Sequence, residues 1–282
     1  MKLMNKKNRV LLKEFIKTDF KLRYQQSVIG YLWSILYPLM YFAVLYLIFV
    51  QFLQFGEGVP HWPVAMLLGL VIWTFFDEAT HRSLYTIVGH GGLLRKIDFD
   101  KPILIFSEIA GAAINLGINL CVVIIFMIIN GVHISWHIVF VVPLAFQLLL
   151  ITAGISFIVA TLYVSFRDIE PIWNVLLQVG MYFTPIIYPL AMLRNKSELI
   201  ARLDLLNPMA QIISDFRWAI IGPQPGLVPI GGQDIMTENY PAVFQFIATP
   251  AIAMIPYAFS VVVFIFGYLV FRHNADNFAE VL

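Results

Sequence analysis

Charge is what this sequence has least of. Only 12% of its 282 residues are Asp, Glu, Lys or Arg, while 60% are hydrophobic. An ordinary soluble domain carries roughly 25% charged and about 45–50% apolar residues. A water-soluble fold of this length cannot bury so much apolar surface, and the mean hydropathy of +0.82 points to lipid as the solvent. Cysteine is nearly absent: Cys121 alone, inside an apolar run, excludes a disulfide framework and reads as a small buried hydrophobe. The motifs of nucleotide and hydrolytic chemistry are missing too. There is no G-x-x-x-x-G-K-[ST] loop to cradle phosphates, no H-E-x-x-H, no paired-cysteine zinc site and no G-x-S-x-G. The histidines, at 61, 81, 90, 133, 137 and 273, are scattered. His133 and His137 share i,i+4 spacing but flank Ser135-Trp136 at an expected membrane surface, where an interfacial loop is a simpler reading than a metal site. No metal, no resident cofactor and no nucleic-acid partner is expected. No cleavable leader is apparent, since the first apolar stretch follows a basic segment without a small-residue cleavage site. No repeat and no low-complexity tract stands out.

What is present is a series of apolar runs, each long enough for a helix of about 20 residues to cross a hydrocarbon core roughly 30 Å thick. Residues 24–56 are uncharged and hold a span at about 31–53. A second span runs from Trp62 towards Asp77. Residues 109–166 carry no charge, and Asn130-Gly131 with Ser135-Trp136-His137 divide the region into spans at about 103–129 and 138–165. Pro171 opens a fifth span at about 172–192, and a sixth falls at about 247–271 before Arg272. The expected fold is therefore an all-α integral membrane domain over 1–282 with six transmembrane helices. Spans one to five occupy 31–192, an extracellular loop 193–246, and a cytoplasmic tail 272–282.

Basic residues orient it. Lys2, Lys6, Lys7, Arg9, Lys13, Lys17, Lys21 and Arg23 precede the first span, Arg95, Lys96 and Lys101 follow the second, Arg167 the fourth and Arg272 the sixth. The positive-inside rule then places both termini in the cytoplasm. Within residues 1–30, Leu11, Leu12, Phe15, Ile16 and Phe20 recur at helical spacing opposite Lys13, Glu14, Lys17 and Lys21. That is an amphipathic interfacial helix with lysines suited to anionic lipid, serving as an anchor or also as a cradle for a partner. In the 193–246 loop, Leu205–Ile221 is apolar enough for short re-entrant helices, whereas the Gly- and Pro-rich stretch at about 222–245 reads as an irregular excursion.

Three groups are candidates for function. Asp77–His81 and Glu78–Arg82 are i,i+4 pairs at the end of the second span, and Glu108 lies one to two turns into the third. Structural pairing is the simpler reading, a substrate or proton path the sharper one. Trp33, Tyr37 and Tyr41 share one face of the first span, and Tyr182, Phe183 and Tyr188 cluster in the fifth. Such rings stack on sugar faces, and they also build interfacial belts and helix contacts. In the loop from Gly91 to Pro102, the apolar residues Leu93, Leu94, Ile97 and Phe99 can give a short helix an exposed face beside Arg95 and Lys96. That face suits a partner or the lipid surface.

In order along the chain, Arg23-Tyr24, Ser27, Gly30, Trp33 and Pro38, then Phe166-Arg167-Asp168, Thr184-Pro185-Ile186-Ile187-Tyr188, Leu206-Asn207-Pro208 and Phe278-Ala279-Glu280-Val281-Leu282 follow one pattern. The chain resembles the ABC-2 family of ATP-binding-cassette permeases, within it the exporters of O-antigen, capsule, teichoic acid and rhamnan. The resemblance implies a half-transporter in the bacterial cytoplasmic membrane that pairs with a second copy of itself. Two copies of a separate ATPase subunit would bring ATP and Mg2+, and the cargo would be a lipid-linked polysaccharide. It further implies that Leu93, Leu94, Arg95, Lys96 and Phe99 belong to a coupling helix docking the ATPase, and that spans one and five line the path. Phe99-Asp100-Lys101-Pro102 departs from the family, which often has an aromatic-Phe-Pro string there. An ABC-2 exporter of small molecules or drugs, and a membrane-embedded glycosyl- or acyltransferase, are the alternatives; a proton-driven carrier fits less well, for want of broken-helix repeats.

Overall fold

The computed structural model describes residues 6–24, 32–97, 99–133, 136–221, 227–230, 233–236, 254–275 and 277–278. The expectations at Lys2, Ser27 and Gly30, for most of 222–245, for the start of the last span at 247 and for Ala279–Leu282 lie outside these residues.

A first helix, α1 (Lys6–Tyr24), precedes α2 (Trp33–Leu45), which runs on as a wider π-helical stretch over Tyr46–Phe52. Then come α3 (Trp62–Gly89), a one-turn α4 (Gly91–Leu94) and α5 (Pro102–Ile129). A 3-10 segment, Trp136–Phe140, leads into α6 (Val141–Ser165), followed by α7 (Ile169–Phe183), α8 (Leu190–Lys196), α9 (Glu198–Asp204) and α10 (Pro208–Ile221). The strands β1 (Leu227–Ile230) and β2 (Gln233–Met236) precede α11 (Ile255–Asn274). Five segments, Trp33–Phe52, Trp62–Gly89, Pro102–Ile129, Trp136–Ser165 and Ile255–Asn274, are long and apolar enough to cross a membrane. The chain is a multi-pass membrane protein.

Helix α3 is the hub. Up to Phe76 it is almost wholly apolar, and Val64 through Val71 form an unbroken buried run, as expected of a helix surrounded by others rather than by solvent. Around it pack α2, α5, α6, α7 and α10. Helices α6 and α11 cross in the tightest contact. A Cβ on Gly267 would lie 2.2 Å from the Gly154 carbonyl oxygen, and one on Gly154 would lie 2.6 Å from the Phe264 nitrogen. Without a hydrophobic drive between helices in lipid, such small residues let backbones approach and gain dispersion contacts. Cys121, expected to be buried, is exposed on α5, where lipid accepts a small apolar side chain as readily as a core does.

The fifth span departs from expectation. A continuous helix over about 172–192 is predicted, yet α7 ends at Phe183 after 15 residues. Thr184 is extended, with φ −87° and ψ 135°, because Pro185 follows it and its ring sterically excludes the α conformation from the preceding residue. Fifteen residues rise only about 22 Å, short of a hydrocarbon core of about 30 Å. Six uninterrupted spans are therefore not found among the described residues.

The described elements are otherwise helical apart from one short pair of strands. Within the Gly/Pro-rich stretch, β1 and β2 pair antiparallel with Val228 opposite Ile235 and Ile230 opposite Gln233. Only Gly231-Gly232 separates the strands in sequence, a length and composition that favour a hairpin.

Substituting Gly267 by Val should destabilise the α6–α11 crossing by about 1–3 kcal/mol, the usual range for overpacking. Thermal melts of purified protein check this. Gly117→Ala, whose added Cβ meets nothing within 4 Å, should not lower the melting temperature, and removing a mid-helix glycine favours a small rise.

Candidate functional site

One set of the polar side chains that interrupt the apolar helices gathers on one side of α3. There a groove of about 790 Å³ opens between α2, α3, α5 and α7. Helix α2 contributes Trp33, Tyr37 and Tyr41, whose i,i+4 spacing stacks the three rings on one face, together with Ser34 and Pro38. Helix α7 faces them with Asn174, Leu177, Gln178 and Met181, again on one helical stripe. Tyr41 closes one side by donating its hydroxyl to Met181 Sδ at 3.5 Å. From α3 come Leu70, Trp73, Thr74, Asp77, Glu78, His81 and Arg82, and from α5 come Asn115 and Asn119.

The charged residues at the groove floor are mutually satisfied. Arg82 Nε lies 2.9 Å from Glu108 Oε2 and its Nη1 lies 3.4 Å from Glu78 Oε1. Asn115 donates to both Glu78 oxygens at 2.9 and 3.1 Å, and Thr86 donates to Glu108 Oε1 at 3.2 Å. Gly111 gives the guanidinium room, since a Cβ there would stand 3.2 Å from Nη1. Glu78–Arg82 is thus the helical pair that the spacing implied, and Glu108 faces protein. Asp77 and His81 both line the groove but form no ion pair with each other among the described residues.

The second aromatic cluster divides. Tyr182 and Phe183 are 52% and 70% exposed and stand outside the groove. Tyr188 donates its hydroxyl to the carbonyls of Tyr182 at 3.0 Å and Phe183 at 3.4 Å, capping the end of α7. Sequence reading missed Asn115, Asn119, Asn174 and Gln178. Their signal was available as two i,i+4 amide pairs inside otherwise apolar helices.

The break after α7 is held by a second polar assembly. Arg217, 2% exposed on the wholly buried α10, donates from Nη1 to the Pro185 carbonyl at 2.8 Å and from Nη2 to that of Ile186 at 3.0 Å. Its Nε donates to the Ala65 carbonyl of α3 at 3.0 Å, and the guanidinium lies 4.9 Å from the Trp62 ring centroid. Asn207 accepts from the Met209 amide at 3.1 Å, which caps α10, and donates to Thr184 Oγ1 at 3.2 Å. Two residues before Arg217, Asp215 accepts from Gln211 at 2.6 Å and from Tyr257 of α11. Gln211 accepts from Gln147 of α6, also at 2.6 Å.

The loop between α3 and α5 corrects another expectation. Leu94 and Phe99, expected on an exposed apolar face, are 7% and 8% exposed. Helix α1 packs on Phe99: Phe15 sits 6.1 Å from the Phe99 ring and 5.6 Å from that of His90. Leu93 is half-buried, while Arg95, Lys96 and Ile97 remain exposed. The same loop is tied to the end of α11, since Arg272 Nη1 lies 2.9 Å from Asp100 Oδ1 and Lys101 Nζ donates to the Ala275 carbonyl. Among the described residues, no group of three His, Cys, Asp or Glu side chains could hold a metal ion.

The family model for ABC-2 type transporters matches residues 10–221. The chain belongs to this ABC-2 transporter family. Its relatives include the O-antigen export system permease protein RfbA of Klebsiella pneumoniae, 28% identical over 208 residues covering 73% of this chain and 78% of the relative. RfbA of Myxococcus xanthus is 27% identical over 74% of this chain and 79% of that protein. The polysialic acid transport protein KpsM of Escherichia coli is 25% identical over 85% of this chain and 89% of its own length. The matched region includes every helix that lines the groove and the Arg217 assembly of this ABC-2 permease.

Replacing Arg217 by Met should lower stability by about 3 kcal/mol or more, because charge-assisted hydrogen bonds to buried carbonyls are lost together. A fall in melting temperature, with proteolysis appearing between α7 and α8, is the readout. Outside the spans, burial pushes the Asp204 carboxyl from 3.8 up to about 7. The folded state then holds a proton that the unfolded state has released, so stability falls as pH rises from about 4 to about 7 and is level above that. Asp204→Asn should remove this slope, raising the melting temperature at pH 8 while leaving it unchanged near pH 4.

Proposed function

We propose that this ABC-2 permease is the membrane-spanning subunit of an exporter that moves a lipid-linked, undecaprenyl-type polysaccharide across the bacterial cytoplasmic membrane. O-antigen, teichoic acid and rhamnan are cargoes of that kind. The observation that carries the reading is the groove in which the rings of Trp33, Tyr37 and Tyr41 face the amides of Asn174 and Gln178. Aromatic rings offer flat apolar faces to the C–H side of a pyranose, and amides both donate and accept to hydroxyls. The names of the relatives, O-antigen export permease and polysialic acid transport protein, support the same class of cargo.

The chain holds no phosphate-cradling motif, so the energy comes from separate ATPase subunits binding ATP and Mg2+, two per pair of permeases. Arg95, Lys96 and Ile97 are exposed residues of the loop that would meet the ATPase, while Phe99 packs against Phe15 of α1 from behind. Two copies of the chain pair so that α2 and α7 of each border the path, and Tyr182 and Phe183 complete its aromatic lining. Both termini are cytoplasmic, and α8 to α10 form the re-entrant outer end. The polymer slides because each contact is weak, and a tight site would stall it.

Tagged chain isolated from its native cells should bring an ATPase subunit with it, and Arg95→Glu with Lys96→Glu should abolish that association. Single changes of Trp33, Tyr37 and Tyr41 to Ala should each lower export by about three- to tenfold at equal expression, since an aromatic contact is worth about 0.5–1.5 kcal/mol beyond area burial. Unchanged export in all three would remove the sugar path from this groove.

A further inference from the structure

Four residues of α3, Glu78, Arg82, Thr86 and His90, recur at steps of four and so share one helical stripe. The stripe begins in the groove, which Glu78 and Arg82 line, and ends at His90, where α3 gives way to α4 and the loop proposed above to dock the ATPase. Helix α5 meets it with Glu108, Gly111 and Asn115, spaced by three and four. At the loop end, the ring of Phe15 on α1 packs edge-on to His90 at 5.6 Å. His90 Nδ1 lies 2.8 Å from the Thr86 carbonyl; a carbonyl only accepts, so this nitrogen carries the proton. The Thr86 hydroxyl stands 3.5 Å from the same nitrogen and donates instead to Glu108 Oε1 at 3.2 Å. Glu108 Oε2 in turn lies 2.9 Å from Arg82 Nε, and Asn115 donates to Glu78. Thr86 and Glu108 are both buried. Contacts thus run step by step from α1 to the groove floor.

Resting on the exporter reading above, we propose that Thr86 is a positioning residue for transport: its hydroxyl locks α5 to the end of α3, so that displacement of the docking loop reaches Arg82 in the groove. Apolar helix faces hold each other by non-directional contacts and tolerate small sliding. A hydrogen bond to a buried carboxylate does not, because withdrawing its donor costs more than losing a bond between neutral groups. The end of α3 and Glu108 therefore move together. Through Glu108 the movement arrives at Arg82, whose guanidinium has room beside Gly111, where a Cβ would lie 3.2 Å from Nη1. Thr86 is bonded towards both ends, its carbonyl to His90 and its hydroxyl to Glu108. Valine in its place keeps the shape and removes only the donor, so the loop would shift without carrying the groove floor along.

The complex of permease and ATPase, co-purified from native cells and placed in nanodiscs, gives the rate of ATP hydrolysis, and the same cells give export of their own surface polysaccharide at equal expression. Thr86→Val should leave co-purification and hydrolysis near the unaltered level while lowering export about tenfold, the scale of one hydrogen bond to a charged group. Thr86→Ser, which restores the donor, should bring export back. His90→Phe keeps a ring beside Phe15 and loses the Nδ1 donor without touching the buried acids; it should lower export about threefold, again with hydrolysis retained. Normal export from Thr86→Val would overturn the relay. So would a parallel loss of hydrolysis and export, or a loss that serine does not rescue, since either marks a packing role alone. An unaltered chain that brings no ATPase with it would overturn the exporter reading, and the relay with it, before any variant is compared.

Discussion

A single guanidinium allows the chain to break its helix inside the packed bundle. A buried carbonyl freed from its helix costs free energy unless a protein group satisfies it. Arg217 does so for Pro185 and Ile186 and ties both to Ala65 on the hub helix. Lysine could not span three acceptors in a plane, and arginine keeps its charge when buried. The hub makes space in return: Gly69 lacks the Cβ that would approach Nη2 to 3.0 Å. The Thr184–Asn207 hydrogen bond then joins the break to the start of α10. Two motifs that look unrelated in sequence, Thr184-Pro185 and Leu206-Asn207-Pro208, are thus parts of one joint.

That joint is what leaves α7 short and its amides turned to the groove. A helix running on through Tyr188 would carry an unbroken apolar stripe. Ending at Phe183, it instead packs against α3 where Gly180 accepts the ring of Trp73, a Cβ there lying 2.9 Å from it. Asn174 and Gln178 then stand on the stripe that meets α2. Helix α2 itself keeps few of its own residues buried, only Pro38, Phe42 and Leu45. The groove thus lies between a firmly held wall, α3 with α5, and two lightly held ones.

The sequence made the spans legible because charge is so scarce that its absence alone delimits them. It gave less notice of the break, although Pro185 was in view; a proline inside an apolar run also suits a kinked helix, and the carbonyl partner that decides between the two lies thirty-one residues away. The aromatic triplet on α2 was readable because i,i+4 spacing is local. Tyr182, Phe183 and Tyr188 were read as one cluster with the same role, and the break separated a capping tyrosine from two exposed rings. Leu94 and Phe99 were misplaced for a similar reason: their apolar face is real but buried, Phe99 against Phe15 of α1 some eighty residues earlier in the chain. No local pattern announces a contact of that range.

The departure at Asp100-Lys101 has a structural explanation in these long-range ties. The two residues that separate Phe99 from Pro102 reach the end of α11 through Arg272 and the Ala275 carbonyl. Phe271 and Phe278 pack there at 5.2 Å between rings, giving the ion pair a buried apolar backing. On the proposed exporter reading, a push on Arg95 and Lys96 reaches α1, α5 and α11 together, because the loop is fastened to all three. Among the described residues, helices α2 and α7 show no such fastening to the loop. Movement of the bound group against the lightly held pair changes the width of the groove rather than deforming the hub, since packed cores shift between arrangements more readily than they compress. The inserted Asp-Lys pair thus makes the last helix part of the moving body, where a direct Phe-Pro junction would leave it without this tie.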